Sequence, residues 1–219
     1  MDSKPATIVI PCYGQAHFLP DAIESALAQT VPCEVIVVDD GSPDDAYAVA
    51  SKYPVTYIRQ QNKGLSGARN TGIRCVATEW VLPLDADDKI DPTMVEKCLA
   101  VGADIAGVGQ ETFGDYVEQH MFDRNPQPAN FLKWNQINCC SLFRKSMWEK
   151  LGGYDEAMRD GYEDWDFWIR ATQAGYSVAT VQEYLFYYRK HGTSMVSGSI
   201  SKHDELLEYM LKKLVQKNN

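Results

Sequence analysis

Short apolar runs alternate with helical periodicity along the first half of this chain. Residues 7–11 form one unbroken β-type run, after which Leu19, Ala22, Ile23, Ala26 and Leu27 recur at helical spacing. Residues 35–38 are all β-branched and too few for a helix. The same logic predicts a helix over 44–53, a strand over 55–59, a helix over 66–76, a strand over 80–84, a helix over 92–100 and a strand over 104–108. Strands alternating with helices in this way imply βαβ units and a parallel sheet.

The second half is less regular. Two prolines make 125–129 a loop, and 140–143 reads as a strand followed by a short helix to Leu151, stopped by Gly152 and Gly153. A helix is predicted over 164–174, strands over 178–181 and 184–188, and an amphipathic helix from Ser201 onward. Its stripe of Leu206, Leu207, Met210, Leu211, Leu214 and Val215 favours packing on the domain's own core.

Composition narrows the functional classes. The 219 residues suffice for one large domain or two small ones, and 45% are hydrophobic. A formal net charge of −9 argues against nucleic acid or an anionic membrane as the main partner. No apolar stretch approaches the ~20 residues of a membrane span. The six cysteines form no C-x-x-C pair, and several lie in apolar runs, so reduced, buried thiols and a cytoplasmic location are expected.

The chemistry concentrates where strands end. Residues 35–38 run into Asp39-Asp40-Gly41-Ser42, and 81–84 run into Asp85-Ala86-Asp87-Asp88. In an open parallel sheet, ligands bind at the carboxyl ends of strands. Acid clusters there repel one another unless a cation or polar ligand offsets the cost, although Asp, Gly and Ser also suit turns. In extended backbone Asp85 and Asp87 point to one side, a spacing suited to a hard divalent cation shared with a diphosphate. The segment 62–72 offers Lys63, Gly64 and Gly67 for a close approach, Ser66 as a helix cap, and Arg69 in that helix's first turn, all favourable to an anion.

Together these pieces resemble the family 2 glycosyltransferases of GT-A fold. The resemblance runs in order through Val9-Ile10-Pro11-Cys12-Tyr13, Val38-Asp39-Asp40-Gly41-Ser42, the 62–72 segment and Leu84-Asp85-Ala86-Asp87-Asp88. It continues through Gly152-Gly153-Tyr154-Asp155-Glu156, Glu163-Asp164-Trp165-Asp166 and Tyr188-Arg189-Lys190-His191, covering about residues 6–194. It implies a Rossmann-like, mostly parallel α/β sheet flanked by helices, in one domain. Residues 5–108 would bind the nucleotide sugar, 109–200 would form the acceptor side, and 201–219 would add the C-terminal helix. The implied donor set is Pro11, Cys12, Tyr13, Asp39, Asp40, Lys63, Gly67, Arg69, Asp85 and Ala86, with Asp39 and Arg69 on the base and Asp85 on the ribose side. Asp87 and His191 would ligate a divalent metal, Mn2+ or Mg2+, and Asp164 would be the catalytic base. Cys12 and Gly14 stand where threonine and asparagine are common in the family. The Q-x-x-R-W motif of processive synthases is absent, which favours single additions.

The expected reaction is transfer of a sugar from a nucleoside-diphosphate sugar, most commonly a UDP-sugar, to a hydroxyl on a glycan or other acceptor, with inversion. On residue type alone Glu163 or Asp166 is also eligible as base, and Asp164 also suits a helix N-cap. Trp134, Tyr162 and Trp165 are candidate sugar-stacking surfaces and equally candidates for core packing. Two alternatives are a nucleotide-sugar-binding domain without activity and a sugar-phosphate nucleotidyltransferase. The second would show an N-terminal glycine-rich loop with a basic residue, which residues 9–20 lack.

Overall fold

The computed structural model describes residues 4–192 and 201–217, and its first half keeps the predicted alternation. In chain order it holds β1 (Ala6–Cys12), α1 (Leu19–Leu27), β2 (Glu34–Asp39), α2 (Ala46–Ala50), β3 (Thr56–Arg59), α3 (Gly64–Arg74) and β4 (Trp80–Pro83). These strands pair in parallel in the spatial order β3-β2-β1-β4. The chain therefore winds outward from β1 to β3, then returns to the opposite flank of β1. Beside such a switch point the loops diverge and leave a crevice beyond the carboxyl ends of the strands.

The rest of the chain extends the same sheet. It adds β5 (Lys89–Ile90), α4 (Met94–Ala100), β6 (Ile105–Gly114), β7 (Gln119–His120), β8 (Leu142–Arg144), α5 (Lys145–Leu151), α6 (Glu163–Gln173), β9 (Val178–Lys190) and α7 (His203–Lys217). Strand β8 lies antiparallel between β4 and β6, and β9 runs parallel to β6. The two-residue strands β5 and β7, absent from the sequence expectation, are too short to carry a period. The expected strands 178–181 and 184–188 are one strand, bent where its register with β6 shifts around Gly109. The expected loop at 125–129 runs into a 3-10 helix, Pro128–Leu132, whose proline sits where a helix start tolerates it.

Both faces of the sheet are buried, and the strands show it by alternation. Ile8, Ile10, Val35 and Val37 face one core with Ala22, Ile23, Met94 and Cys98. Val9, Ile36 and Val38 face the other with Ile73, Met147, Trp148, Phe167 and Trp168. Helix α3 packs unusually close on that second face. A Cβ at Gly72 would fall 2.4 Å from Val9 Cγ1, so only glycine fits. Met210 of α7 is buried in the same core, with Leu207 and Leu214 packed partly against it, whereas Leu211 of the predicted stripe is exposed. Cys75 is exposed and Cys139 half-buried, against the expectation of buried thiols. All six cysteines are free. No helix among the described residues is long and apolar enough to cross a membrane.

Candidate active site

A cleft of about 670 Å³ opens at the switch point. Pro11, Cys12 and Tyr13 at the end of β1 line it, together with Asp40, Gly64 and Leu65. Arg69, Asp85 and Asp87 line it as well, as do Asn135, Asn138, Tyr162, Glu163 and Asp164.

The two acids after β2 divide their work. Asp39 is fully buried and accepts hydrogen bonds from Ser42 N at 2.7 Å and from the Tyr57 hydroxyl, while Arg59 pairs with it at 3.1 Å. Burial and this carboxylate push the Tyr57 phenol up to about 12. Asp39, expected at the base, is not among the residues that line the cleft. Asp40 lines the cleft instead, accepting from Gln60 Nε2 at 2.7 Å and from the amides of Lys63 and Gly64 at 2.8 Å each. A carboxylate of the protein thus occupies the start of α3, where the sequence suggested an external anion. Ser66 is no cap: it lies inside α3, behind a cap at Lys63. Gly67 serves packing, since a Cβ there would lie 2.5 Å from that of Lys63. Neither Lys63 nor Gly67 lines the cleft.

Arg69 sits in the second turn of α3, not the first, and is 1% exposed. Its Nη1 donates to Glu163 Oε1 at 2.6 Å and its Nη2 to Asp85 Oδ1 at 2.7 Å. Burial alone would lower its pKa, but the two carboxylates hold it above the ordinary value. Arg69 therefore joins the end of β4 to the start of α6. Its Nε is buried without a protein partner among the described residues.

After β4 the backbone turns rather than staying extended, with Asp88 N bonded to Asp85 O at 3.1 Å. Asp85 and Asp87 still both reach the cleft. Ala86 between them is fully buried in the core and is no cleft residue. Asp87 Oδ2 accepts from Gln15 Nε2 at 2.9 Å and lies 3.0 Å from His191 Nε2. Asp88, which the sequence analysis left without a role, is fully buried. Burial first, then Asp87 and Asp85, push its carboxyl well above the usual range.

Asp164 is the second residue of α6, which is capped by Tyr162 in the left-handed region (φ +63°). The N-cap reading of Asp164 therefore does not hold. Tyr162 is the single non-glycine residue with positive φ among those described, a conformation that stores about 1–3 kcal/mol and aims the start of α6 at the cleft. Asp164 Oδ2 accepts from Asn135 Nδ2 at 3.0 Å. Burial, and then the charge of Glu163, push its carboxyl up to about 7, against the opposing pull of Arg69, the Trp165 amide and Asn135. Of the other two eligible bases, Glu163 is tied to Arg69, and Asp166 is bound to Arg170 and Lys213 away from the cleft. Trp165 is core, donating to Phe131 O at 2.6 Å, and Trp134 is exposed outside the cleft. Tyr162 alone of the three aromatics lines it. Gln15, Asn135, Asn138 and Arg159 also line it. They lie in irregular segments whose sequence carries no period.

Comparisons with known proteins bear on the family and the fold. The profile of glycosyl transferase family 2 matches residues 7–152, and that of glycosyltransferase like family 2 matches 107–216. A glycosyltransferase of Haemophilus influenzae is 30% identical over 93% of this chain and 75% of its own length. Among solved structures, Staphylococcus aureus TarS in complex with UDP-GlcNAc superposes with a TM-score of 0.75 at 21% identity, over 88% of this chain and 60% of that one. The mannosyltransferase PcManGT of Pyrobaculum calidifontis, in complex with GDP-Man and Mn2+, superposes with a TM-score of 0.75 at 18% identity, over 97% of this chain and 64% of that one. The chain thus spans less than two thirds of each of these two solved structures.

Proposed function

This chain belongs to glycosyltransferase family 2, and from that premise we propose that it moves a sugar, with inversion, from a uridine-diphosphate sugar to a hydroxyl of a glycan or similar acceptor. The observation that carries the reading is Asp164. A carboxyl raised to about 7 faces the same cleft as Asp87, the partner of His191, and as the Arg69–Asp85 pair.

A general base works best with a pKa near the working pH, and Asp164 is placed and tuned for that. As the acceptor oxygen bonds to the anomeric carbon, the bond from that carbon to the diphosphate oxygen breaks, and the hydroxyl proton passes to Asp164. Attack opposite the leaving group inverts the centre. Asn135 holds Asp164 through Nδ2, and its Oδ1 is without a protein partner among the described residues, leaving an acceptor for a bound hydroxyl. Arg69 fixes Asp85 at the donor's side of the cleft, and Pro11 to Tyr13 with Asp40 bound the space for the base.

The residues present fit a divalent cation. Asp87 offers a carboxylate and His191 an imidazole at one point, both partly exposed, at 17% and 21%. No group of three or more His, Cys, Asp or Glu ligands forms among the described residues, so donor phosphate oxygens and water would complete the shell. When bound, the cation supplies charge neutralisation for the departing diphosphate. Likeness to TarS supports uridine diphosphate, and likeness to PcManGT supports Mn2+.

The test is a thermal-shift screen of UDP- and GDP-sugars with and without Mn2+, followed by transfer to candidate acceptors and NMR of the product's anomeric proton. Retained configuration would exclude the direct displacement. Stabilisation by GDP-sugars alone would replace the donor.

A further inference from the structure

We propose that Arg189 is a positioning residue that holds Asp87 and His191 together, so that the two ligands meet the cation as a preset pair. The inference rests on the metal reading of that pair and adds to it a residue outside the ligand set.

Arg189 stands near the end of β9, two positions before His191. Its Nε donates to the backbone oxygen of Asp87 at 2.6 Å, and its own amide donates to Asp88 Oδ1 at 2.7 Å. One residue thus binds the acidic turn twice, just ahead of the histidine that must reach that turn. The guanidinium is itself immobilised. It lies between the rings of Phe18 and Phe113, at 4.5 and 4.3 Å, and Nη2 donates to Asp21 Oδ2 of α1 at 2.6 Å. Phe18 in turn packs against the imidazole of His191 at 5.2 Å.

A surface ion pair with half-exposed Asp21 needs none of this. The side chain is only 15% exposed, and most of its contacts point at the turn and the rings. The arrangement suits arginine specifically. A planar guanidinium can stack between two rings and still spread donors in its plane, which a lysine ammonium cannot. The two segments already meet where β5 pairs with β9, Lys89 opposite Tyr187, and Arg189 carries that tie on past the paired residues to the ligands themselves. Holding them together in advance removes ordering that the cation would have to drive.

The experiment compares wild type, Arg189→Lys and Phe113→Leu. Mn2+ binding is followed by EPR in the presence of UDP, UDP binding is measured without metal, and hydrogen exchange is followed over residues 85–90 and 187–192. Arg189→Lys should weaken Mn2+ by ~10–100-fold, the usual cost of losing support behind a ligand, while metal-free UDP binding stays within about twofold. Exchange should accelerate in those two segments. Phe113→Leu, which keeps every hydrogen bond, should shift both readouts the same way by less, and it serves alone if the lysine variant does not fold. Unchanged Mn2+ affinity, or equal loss of Mn2+ and metal-free UDP binding, would overturn the proposal. If wild type binds no Mn2+, the metal reading of Asp87 and His191 fails. The positioning role then stands or falls on the exchange rates: unchanged exchange in both segments rejects it.

Discussion

Asp164 carries two opposed consequences of one environment. Its carboxyl is raised to about 7, chiefly by burial and then by Glu163, so at neutral pH it is poised to accept a proton. The rate should therefore rise with pH through about 7 and level off above it. The same shift acts on stability with a fixed sign. Between the ordinary carboxylate pKa of ~3.9 and about 7, the folded state holds a proton that the unfolded chain has released. Stability from this group is therefore full at low pH and is lost as pH rises through about 7. Asp164→Asn abolishes both effects. Turnover should fall by ~10²-fold or more and lose its acid limb. Its melting temperature relative to wild type should be higher at pH 8 than at pH 5. A variant with near-normal turnover would dismiss Asp164 as base, and a relative melting temperature independent of pH would dismiss the environment assigned to it. The Asp166→Asn control should keep its turnover and lose stability instead, because Asp166 answers Arg170 at 2.8 Å and Lys213 at 2.8 Å.

At the scale of elements, Arg69 is the tie between α3, the end of β4 and the start of α6. Removing it takes from Asp85 and Glu163 the cation that both are paired with. Breaking a buried pair from one side costs about 3–5 kcal/mol, so Arg69→Ala should show that loss in chemical denaturation and melt roughly 10 °C lower. Donor binding should weaken too, since Asp85 loses its anchor. A loss below about 0.5 kcal/mol would mean that the bridge holds nothing. This tie also shows how far the sequence could be read. The strands β1 to β4 and their helices were legible because a parallel sheet writes itself as short β-branched runs between helical periods. Asp85, Asp87 and Asp164 were legible as acids at strand and helix ends. Of their partners, His191 was joined to Asp87 by the family resemblance alone, across 104 positions, whereas the tie of Arg69 to Glu163, 94 positions apart, shows only once the topology brings them together. Asn135 lies in an irregular segment whose position is set by packing, and Asp39 and Asp40, adjacent and alike in sequence, part company only when the strand end fixes which one faces the cleft. The left-handed Tyr162 was hidden for the same reason: nothing in a tyrosine announces a positive φ.

For the molecule as a whole, the cleft gathers the ends of β1, β2 and β4, helices α3 and α6, and Phe186, Tyr188 and Lys190 of β9, while His191 is not among its lining residues and meets it through Asp87. A ligand that fills it is bound by the folded chain and released by the unfolded one, so binding must appear as global stability. Nucleotide and cation are expected to act jointly, because a two-ligand protein site leaves most of the cation's shell to phosphate oxygens. Mn2+ alone or UDP alone should raise the melting temperature little. Together, at ~100-fold over the joint dissociation constant, they should add about 2.7 kcal/mol. For a chain of this length that is roughly 5–10 °C. Asp87→Ala should erase the increment due to Mn2+ and leave the small one due to UDP, since Pro11, Tyr13 and Asp40, which bound the proposed base site, are untouched by the substitution. The discriminating observation is the difference between the two increments, not the absolute melting temperature, which the substitution itself can move. If Mn2+ still adds to UDP in Asp87→Ala, the cation sits elsewhere. If the two ligands stabilise wild type additively rather than jointly, nucleotide and metal do not share the cleft, and the diphosphate is not what completes the shell around Asp87 and His191.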